Sequence, residues 1–155
     1  MAEKILQSGK IKSINISLKK GEKKTPVMQA QITSLGIQND AHAADWHRQV
    51  SLLAEEAIDK MREKLKTAGS KLKLSDGDFA ENITTEGVDL KLVKIGQKIK
   101  IAETVLEITQ IGKECHTGCE IMKQVGNCIM PKEGIFTKVI KPGLIKTGDD
   151  IIIYE

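Results

Sequence analysis

Aromatic side chains are scarce in these 155 residues, at 3 %: one Trp, one Tyr and two Phe. That removes most of the stacking platform on which readers of single-stranded nucleic acid lay successive bases. A strong excess of one charge is missing too. Lys and Arg total 24 against 21 Asp and Glu, a net +3, and the basic residues are spread out instead of forming a tract, so nucleic acid is not an expected partner. No apolar run approaches the ~20 residues of a membrane span. The N-terminus, Met1-Ala2-Glu3-Lys4 running into Ser8-Gly9-Lys10, lacks an apolar core of the secretory kind. A cytoplasmic protein without membrane contact is therefore expected. The three cysteines are an odd count, which speaks against a disulfide framework and for catalytic, redox or metal use, or for plain burial. The length suits one domain, residues 1–155, able to bury a real core.

What is present is mostly strand. Ile14, Ile16 and Leu18 alternate with polar neighbours, and Met28, Ala30 and Ile32 do so again. Between them the run from Lys19 to Pro26 reads as a solvated connection. From Ser51 the period changes. Leu53, Ala57, Met61 and Leu65 lay one apolar stripe along a long helix, with Ser51 as cap, Glu55 and Glu56 in the first turns and Gly69 as stop. Ser75-Asp76-Gly77-Asp78 forms a turn. Lys94–Ile101 and Lys146–Ile153 are alike, each a glycine turn entering a strand, and Thr104–Ile108 and Phe136–Ile140 add further strands. Strands spaced by short turns predict a mainly β (α+β) fold: a closed or semi-closed β-barrel with one long and one short helix packed outside.

Chemistry concentrates at Glu114-Cys115-His116-Thr117-Gly118-Cys119-Glu120. Thr117 and Glu120 fit a capping box, which starts the short helix and runs it to about Val125 before Gly126-Asn127. Cys119 then lies in the first helical turn, where the dipole favours a thiolate, and Cys115 precedes the cap. Lys113 and His116 add positive charge beside Cys115, and Cys128 follows the helix. A thiol acts as nucleophile or ligand only as thiolate, so this field favours reactivity against a free pKa of about 8.5. Two small buried hydrophobes are the plain alternative.

Three linked segments then carry a resemblance. Asp40-Ala41-His42, His47-Arg48-Gln49-Val50-Ser51-Leu52 and the run from Gly77-Asp78-Phe79 through Glu81-Asn82-Ile83-Thr84 to Gly87 resemble, in order and spacing, the molybdenum cofactor sulfurase C-terminal (MOSC) domain. The pattern continues through Val93-Lys94-Ile95-Gly96 and Val105–Thr109 to a cysteine, here Cys115. It thus covers roughly the whole chain. Many members have Gly-Asp where this chain has Asn39-Asp40, and Pro-Cys where it has Glu114-Cys115.

The resemblance implies a β-barrel and a role near the molybdenum cofactor (molybdopterin). Cys115 corresponds to a cysteine that carries sulfur as a persulfide in one branch and ligates molybdenum in another. It also implies partners: a cysteine desulfurase or other sulfur donor, because no pyridoxal phosphate site is identified in this chain, and a molybdoenzyme or cofactor biosynthesis proteins as recipients. A pterin phosphate wants an arginine fork with backbone amides, and Arg48, just before the expected helix start, is the best single candidate; a structural arginine paired with a carboxylate is its alternative. Asp40 and His42 orient each other in the same cleft or form a satisfied structural pair. Asn82 and Thr84 share one face of a strand and either bind pterin edges or hold a hydrogen-bonded turn. His116, Cys119 and Cys128 are auxiliary candidates. With Cys115 and either His116 or His42 the other two cysteines form a zinc alternative, and Cys115 with Cys119 a dithiol one. The competing function is a non-catalytic barrel that binds the pterin or a partner.

Overall fold

The structure, a computed structural model, describes residues 3–20, 22–112 and 133–155. Its elements run β1 (Ile5–Ile16), β2 (Thr25–Val27), β3 (Gln29–Thr33), β4 (Gly36–Ile37), β5 (Val50–Ala54), α1 (Glu55–Thr67), β6 (Ile83–Glu86), β7 (Lys98–Ile101), β8 (Thr104–Ile111), β9 (Ile135–Lys141), β10 (Gly143–Lys146) and β11 (Asp150–Tyr154). Seven strands, in the order β11-β7-β8-β9-β5-β6-β1, close on themselves because β1 also pairs with β11. The fold is therefore mainly β and the barrel is fully closed, which satisfies every strand edge in the ring. β2 adds to β1 outside the ring, and β10, β3 and β4 form a separate small sheet.

Closure is built from local alternation. Ile99 and Ile101 of β7, Leu106 and Ile108 of β8, and Ile151 and Ile153 of β11 are all buried, with polar or charged residues between them along β7 and β8. β-branched side chains suit this pleated, half-buried wall. The two similar glycine turns end in neighbouring strands, for β7 and β11 pair with Ile101 opposite Ile151. β1 is 12 residues long and has register shifts between Ile5 and Gln7 and between Ile11 and Ser13. Such shifts bend a strand enough to serve several neighbours, here β11, β6 and β2.

The helix begins later than the sequence predicts. Val50–Ala54 is a strand, every residue of it buried, parallel to β6 and antiparallel to β9. A strand covered on both faces reads as an unbroken apolar run, and Leu53 happens to continue the stripe of Ala57 and Met61. Ser51 is consequently not the cap: Ala54 occupies that place, without a side-chain cap hydrogen bond. α1 is a crossover of 13 residues from β5 to the parallel β6. Its acidic first turn and the glycine after its end are as the sequence predicts, with Gly69 at φ 76°, and its last turn carries Lys64 and Lys66. The expected shorter helix from Thr117 lies outside the described residues, so the pairing of one long and one short helix is not part of the observed architecture. Among the described residues no helix is long and apolar enough to cross a membrane.

Gly77 bolts the turn before β6 to the connection after β1. Its carbonyl accepts from Lys24 N at 2.8 Å, and a Cβ built on it, at φ 91°, would lie 2.2 Å from the Lys24 carbonyl oxygen. Gly77→Ala is expected to cost about 3 kcal/mol or more, through the left-handed backbone and a clash with main chain that has nowhere to go. Gly69→Ala, whose Cβ would meet nothing within 4 Å, should cost about 1 kcal/mol. Urea denaturation of both variants checks the contrast; equal losses would remove the role given to the Gly77 contact.

Candidate functional site

The loop between β4 and β5 carries Asp40, His42, Trp46, His47 and Arg48, and its geometry starts from a buried ion pair. Lys24 Nζ lies 2.7 Å from Asp40 Oδ1, with both side chains fully buried. The same ammonium donates to Ser17 Oγ at 3.1 Å and contacts His42 Nδ1 at 3.0 Å. Asp40 also accepts from the backbone N–H of Ser17 and of His42, each at 3.0 Å. Burial alone would raise the Asp40 pKa, but the hydrogen bonds involving His42 and Lys24, with the Lys24 charge, outweigh it and hold the carboxyl well below the usual range. His42 Nδ1 faces both the Lys24 ammonium, at 3.0 Å, and Asp40 Oδ2, at 3.8 Å. Asp40 and His42 are thus brought together, as the sequence predicts. Lys24 is the member that sequence reading missed, because it sits in a charged run that looks like a solvated loop.

Arg48, near the end of this loop, is half-buried. Its guanidinium carbon is 4.6 Å from the centroid of the Trp46 ring and 5.6 Å from that of Phe136. Its Nε is buried and has no hydrogen-bond partner among the described residues. Trp46 is held in turn: its Nε1 donates to the His42 carbonyl at 2.8 Å, and its ring stacks on His42 with centroids 6.3 Å apart and planes 2° from parallel. His47 bonds Gln110 Oε1 through Nε2 at 2.9 Å, and its carbonyl accepts from Thr109 Oγ1. The helix terminus expected beside Arg48 is not there. β5 intervenes, and five strand residues place the start of α1 roughly 16 Å further on, so the arginine relies on aromatic stacking for its setting. A lone Trp between a His and an Arg in an aromatic-poor chain was the available signal for this stack.

Asn82 immediately precedes β6, which begins at Ile83, and Thr84 lies within it. Both are fully buried and engaged. Asn82 Oδ1 accepts from Ser51 N at 3.0 Å and its Nδ2 donates to Asn15 O at 3.2 Å, which links β5 to β1. Thr84 Oγ1 donates to Glu81 Oε2 at 2.8 Å and accepts from Asn15 Nδ2 at 3.1 Å. Glu81 Oε2 also takes the Gly77 N–H at 3.0 Å, and its Oε1 the Phe79 N–H at 3.2 Å. Desolvation nevertheless dominates this carboxyl and pushes its pKa up to about 7.

Cys115, His116, Cys119 and Cys128 lie outside the described residues. The flanks of their segment are described: Gly112 N donates to Gly134 O at 2.7 Å. Gln110, the partner of His47, is two residues before the first of these glycines, and Phe136, which stacks on Arg48, is two residues after the second. Glu133 lines a cleft of about 280 Å³ between the first turns of α1 and the loop from Gly87 to Lys91. Among the described residues no group of three or more His, Cys, Asp or Glu is placed to hold a metal.

Comparison with known proteins follows this geometry. The MOSC domain family model matches residues 39–152, a span that contains Asp40, His42, Arg48, Asn82, Thr84 and Cys115. The YUAD protein from Bacillus subtilis superposes with a TM-score of 0.78 at 18 % identity, over 99 % of each chain. YiiM from Geobacillus stearothermophilus gives a TM-score of 0.69 at 20 % identity, over 94 % of this chain and 75 % of that one. YiiM from Escherichia coli gives 0.66 at 18 %, over 93 % and 69 %. Identities this low speak to the fold alone. A comparison with curated proteins finds no match.

Two stability predictions follow from the buried charges. Lys24→Met leaves Asp40 buried without its cation and should cost about 3–5 kcal/mol, whereas Lys24→Met with Asp40→Leu should recover most of it; a single variant as stable as the parent by calorimetry would refute the pairing. For Glu81 the folded pKa of about 7 lies above the ordinary 4.5. Between those values the folded chain binds more protons than the unfolded one, so stability should fall as pH rises across that window, by on the order of 3 kcal/mol. Denaturant titrations at pH 5 and pH 7 should show the fall, and Glu81→Gln should flatten it; an unchanged slope in the variant would assign it to other groups.

Proposed function

The chain belongs to the MOSC domain family, and from that premise we propose that it binds the molybdenum cofactor and acts in its sulfuration, maturation or delivery. The observation that carries the reading is Arg48: a guanidinium stacked against Trp46 and Phe136, with a buried Nε that no described residue satisfies. A planar, always-charged donor with an unmet hydrogen bond suits a phosphate or a polar heterocycle edge. Arg48 would hold the pterin phosphate, with Asp40 and His42 behind it. His42 is held beside Asp40 by its contact with Lys24. Asn82 and Thr84 contribute indirectly, by fixing the wall that carries the loop. The bound cofactor would supply the metal centre and its dithiolene sulfurs.

Cys115 is placed in the same proposal as sulfur carrier or molybdenum ligand, since the two anchors of its segment flank the Arg48 stack. As carrier, its thiolate attacks the outer sulfur of a donor persulfide such as that of a cysteine desulfurase. The donor's S–S bond breaks, the donor cysteine leaves as thiolate, and Cys115 holds the transferred sulfur as a persulfide. The acceptor is a molybdoenzyme or a protein of cofactor biosynthesis.

Purified protein should bind the cofactor, and Arg48→Ala should weaken that binding roughly ten- to hundredfold, the loss of one charge-assisted contact. Cys115→Ser should abolish labelling by a persulfide-specific reagent, or molybdenum retention, while leaving the circular dichroism of the fold unchanged. Cofactor affinity indifferent to Arg48 would sink the reading. Labelling and metal content indifferent to Cys115, with Arg48 still required, would leave a pterin-binding barrel without sulfur chemistry.

A further inference from the structure

Three carboxylates and two cations meet beside the first turns of α1. Arg62 Nη1 donates to Glu55 Oε1 at 2.6 Å and to Asp59 Oδ1 at 2.7 Å, while its Nε and Nη2 donate to the Leu74 carbonyl at 3.1 and 3.0 Å. Asp76, in the turn before β6, completes the group. Its Oδ2 accepts from Lys12 Nζ of β1 at 3.2 Å, and its Oδ1 lies 3.7 Å from Arg62 Nη2, beyond hydrogen-bond reach. One oxygen on each of two carboxylates is thereby left over: Glu55 Oε2 and Asp76 Oδ1 are buried, and among the described residues neither has a donor.

Two ionised carboxylates held by one guanidinium repel each other, and these two side chains are each only 13 % exposed, so water does little to screen them. Glu55, Asp59 and Asp76 against Arg62 and Lys12 leave one negative charge in excess. A single proton neutralises it. A metal ion is the other way to fill such a gap, but among the described residues no three His, Cys, Asp or Glu side chains are placed to hold one. Burial and hydrogen bonding to Asp76 raise the Glu55 pKa above its ordinary 4.5, against the pull of Arg62. Further charges face the group from its surroundings: Glu86 of β6 acts on Lys12, Glu81 feels Asp76, and Asp78 in the same turn lies 4.0 Å from Lys23 Nζ.

We infer that Glu55 and Asp76 share one proton, Glu55 Oε2 donating to Asp76 Oδ1, and that this bond is a pH-sensitive clasp between the start of α1 and the turn before β6. The turn is the one whose Gly77 carbonyl accepts from Lys24 N at 2.8 Å and whose Gly77 N–H is held by Glu81. The clasp therefore bears on the backbone that carries the Lys24–Asp40 pair. Raising the pH removes the proton, and two like charges then push the turn from the helix. Because the folded pKa of Glu55 is raised, the stability it contributes is complete below the ordinary value and is lost as pH rises through the folded one. Neither carboxyl has a part in the proposed function.

Glu55→Gln locks the clasp shut, because a carboxamide keeps an oxygen for Arg62 and always has an N–H to give to Asp76. Its urea midpoint should lie nearest the parent's at pH 5 and pull ahead of it as pH rises to 8. Glu81 is the same in both proteins, so its own pH dependence cancels in the comparison. Asp59→Asn removes a charge from the same guanidinium without touching the pair, and should leave the parent's pH dependence as it was. In the parent itself the Glu55 carboxyl carbon, followed by 13C NMR, should titrate with a midpoint above 4.5. A midpoint at or below that value shows that no proton is held and overturns the inference. So does a Glu55→Gln midpoint that tracks the parent's at every pH, or an Asp59→Asn variant that gains as much at high pH, which would assign the effect to net charge alone.

Discussion

The loop chemistry depends on one buried ion pair. Lys24 and Asp40 meet at 2.7 Å with neither side chain exposed, in surroundings where an unpaired charge would cost several kcal/mol. Such a pair is weak evidence for stability as such, since two packed apolar side chains often do as well. Its value lies in what it ties together. The ammonium reaches Ser17 at the end of β1 and His42 in the next loop, and the carboxylate gathers the backbone N–H groups of Ser17 and His42. Two loops that share no sheet hydrogen bonds with each other are thereby held in one register, and Lys20, Trp46 and Arg48 come with them. An apolar pair of the same volume would fill the space but orient none of these groups.

The barrel supplies a second constraint from beneath. Asn15, Ser51, Asn82, Thr84 and Glu81 form a buried polar seam across β1, β5 and the approach to β6. Each polar atom left unpaired there would cost about 1–3 kcal/mol, so the seam admits one arrangement of strands and turn. It sets where β5 starts and hence where Arg48 leaves the wall. Glu81 ties the Gly77 turn to the seam, and Gly77 bonds Lys24 through the backbone, so the seam and the ion pair brace each other.

Legibility in the sequence followed the range of the interactions. Alternation in β7 and β8 is a local signal, and glycine turns announced where β7 and β11 begin, so the barrel was readable. β5 was not: buried on both faces, it lacks alternation, and its Leu53 continues the stripe of α1. Asp40 and His42 were legible as a pair because they are two residues apart, whereas their partner Lys24 lies 16 residues from Asp40 and looks like its charged neighbours. Asn82 and Thr84 stood out as polar residues in a dense motif, yet their partners Ser51 and Asn15 lie in other strands, and no local pattern tells a satisfied amide from a waiting one.

Aromatic scarcity then acquires a physical meaning. The barrel interior is filled with Ile, Leu and Val, side chains whose well-defined rotamers pack a wall closely. Phe79 and Tyr154 are buried. Trp46, the largest apolar surface in the chain, is only half-buried and spends its faces on Lys20, Arg48 and His42. An indole serving the core would be sealed by aliphatic neighbours and would repel charge by desolvation. One left at the rim with cations against it has given up hydrophobic stabilisation that a barrel of this size could use, and recovers only the smaller cation–π energy.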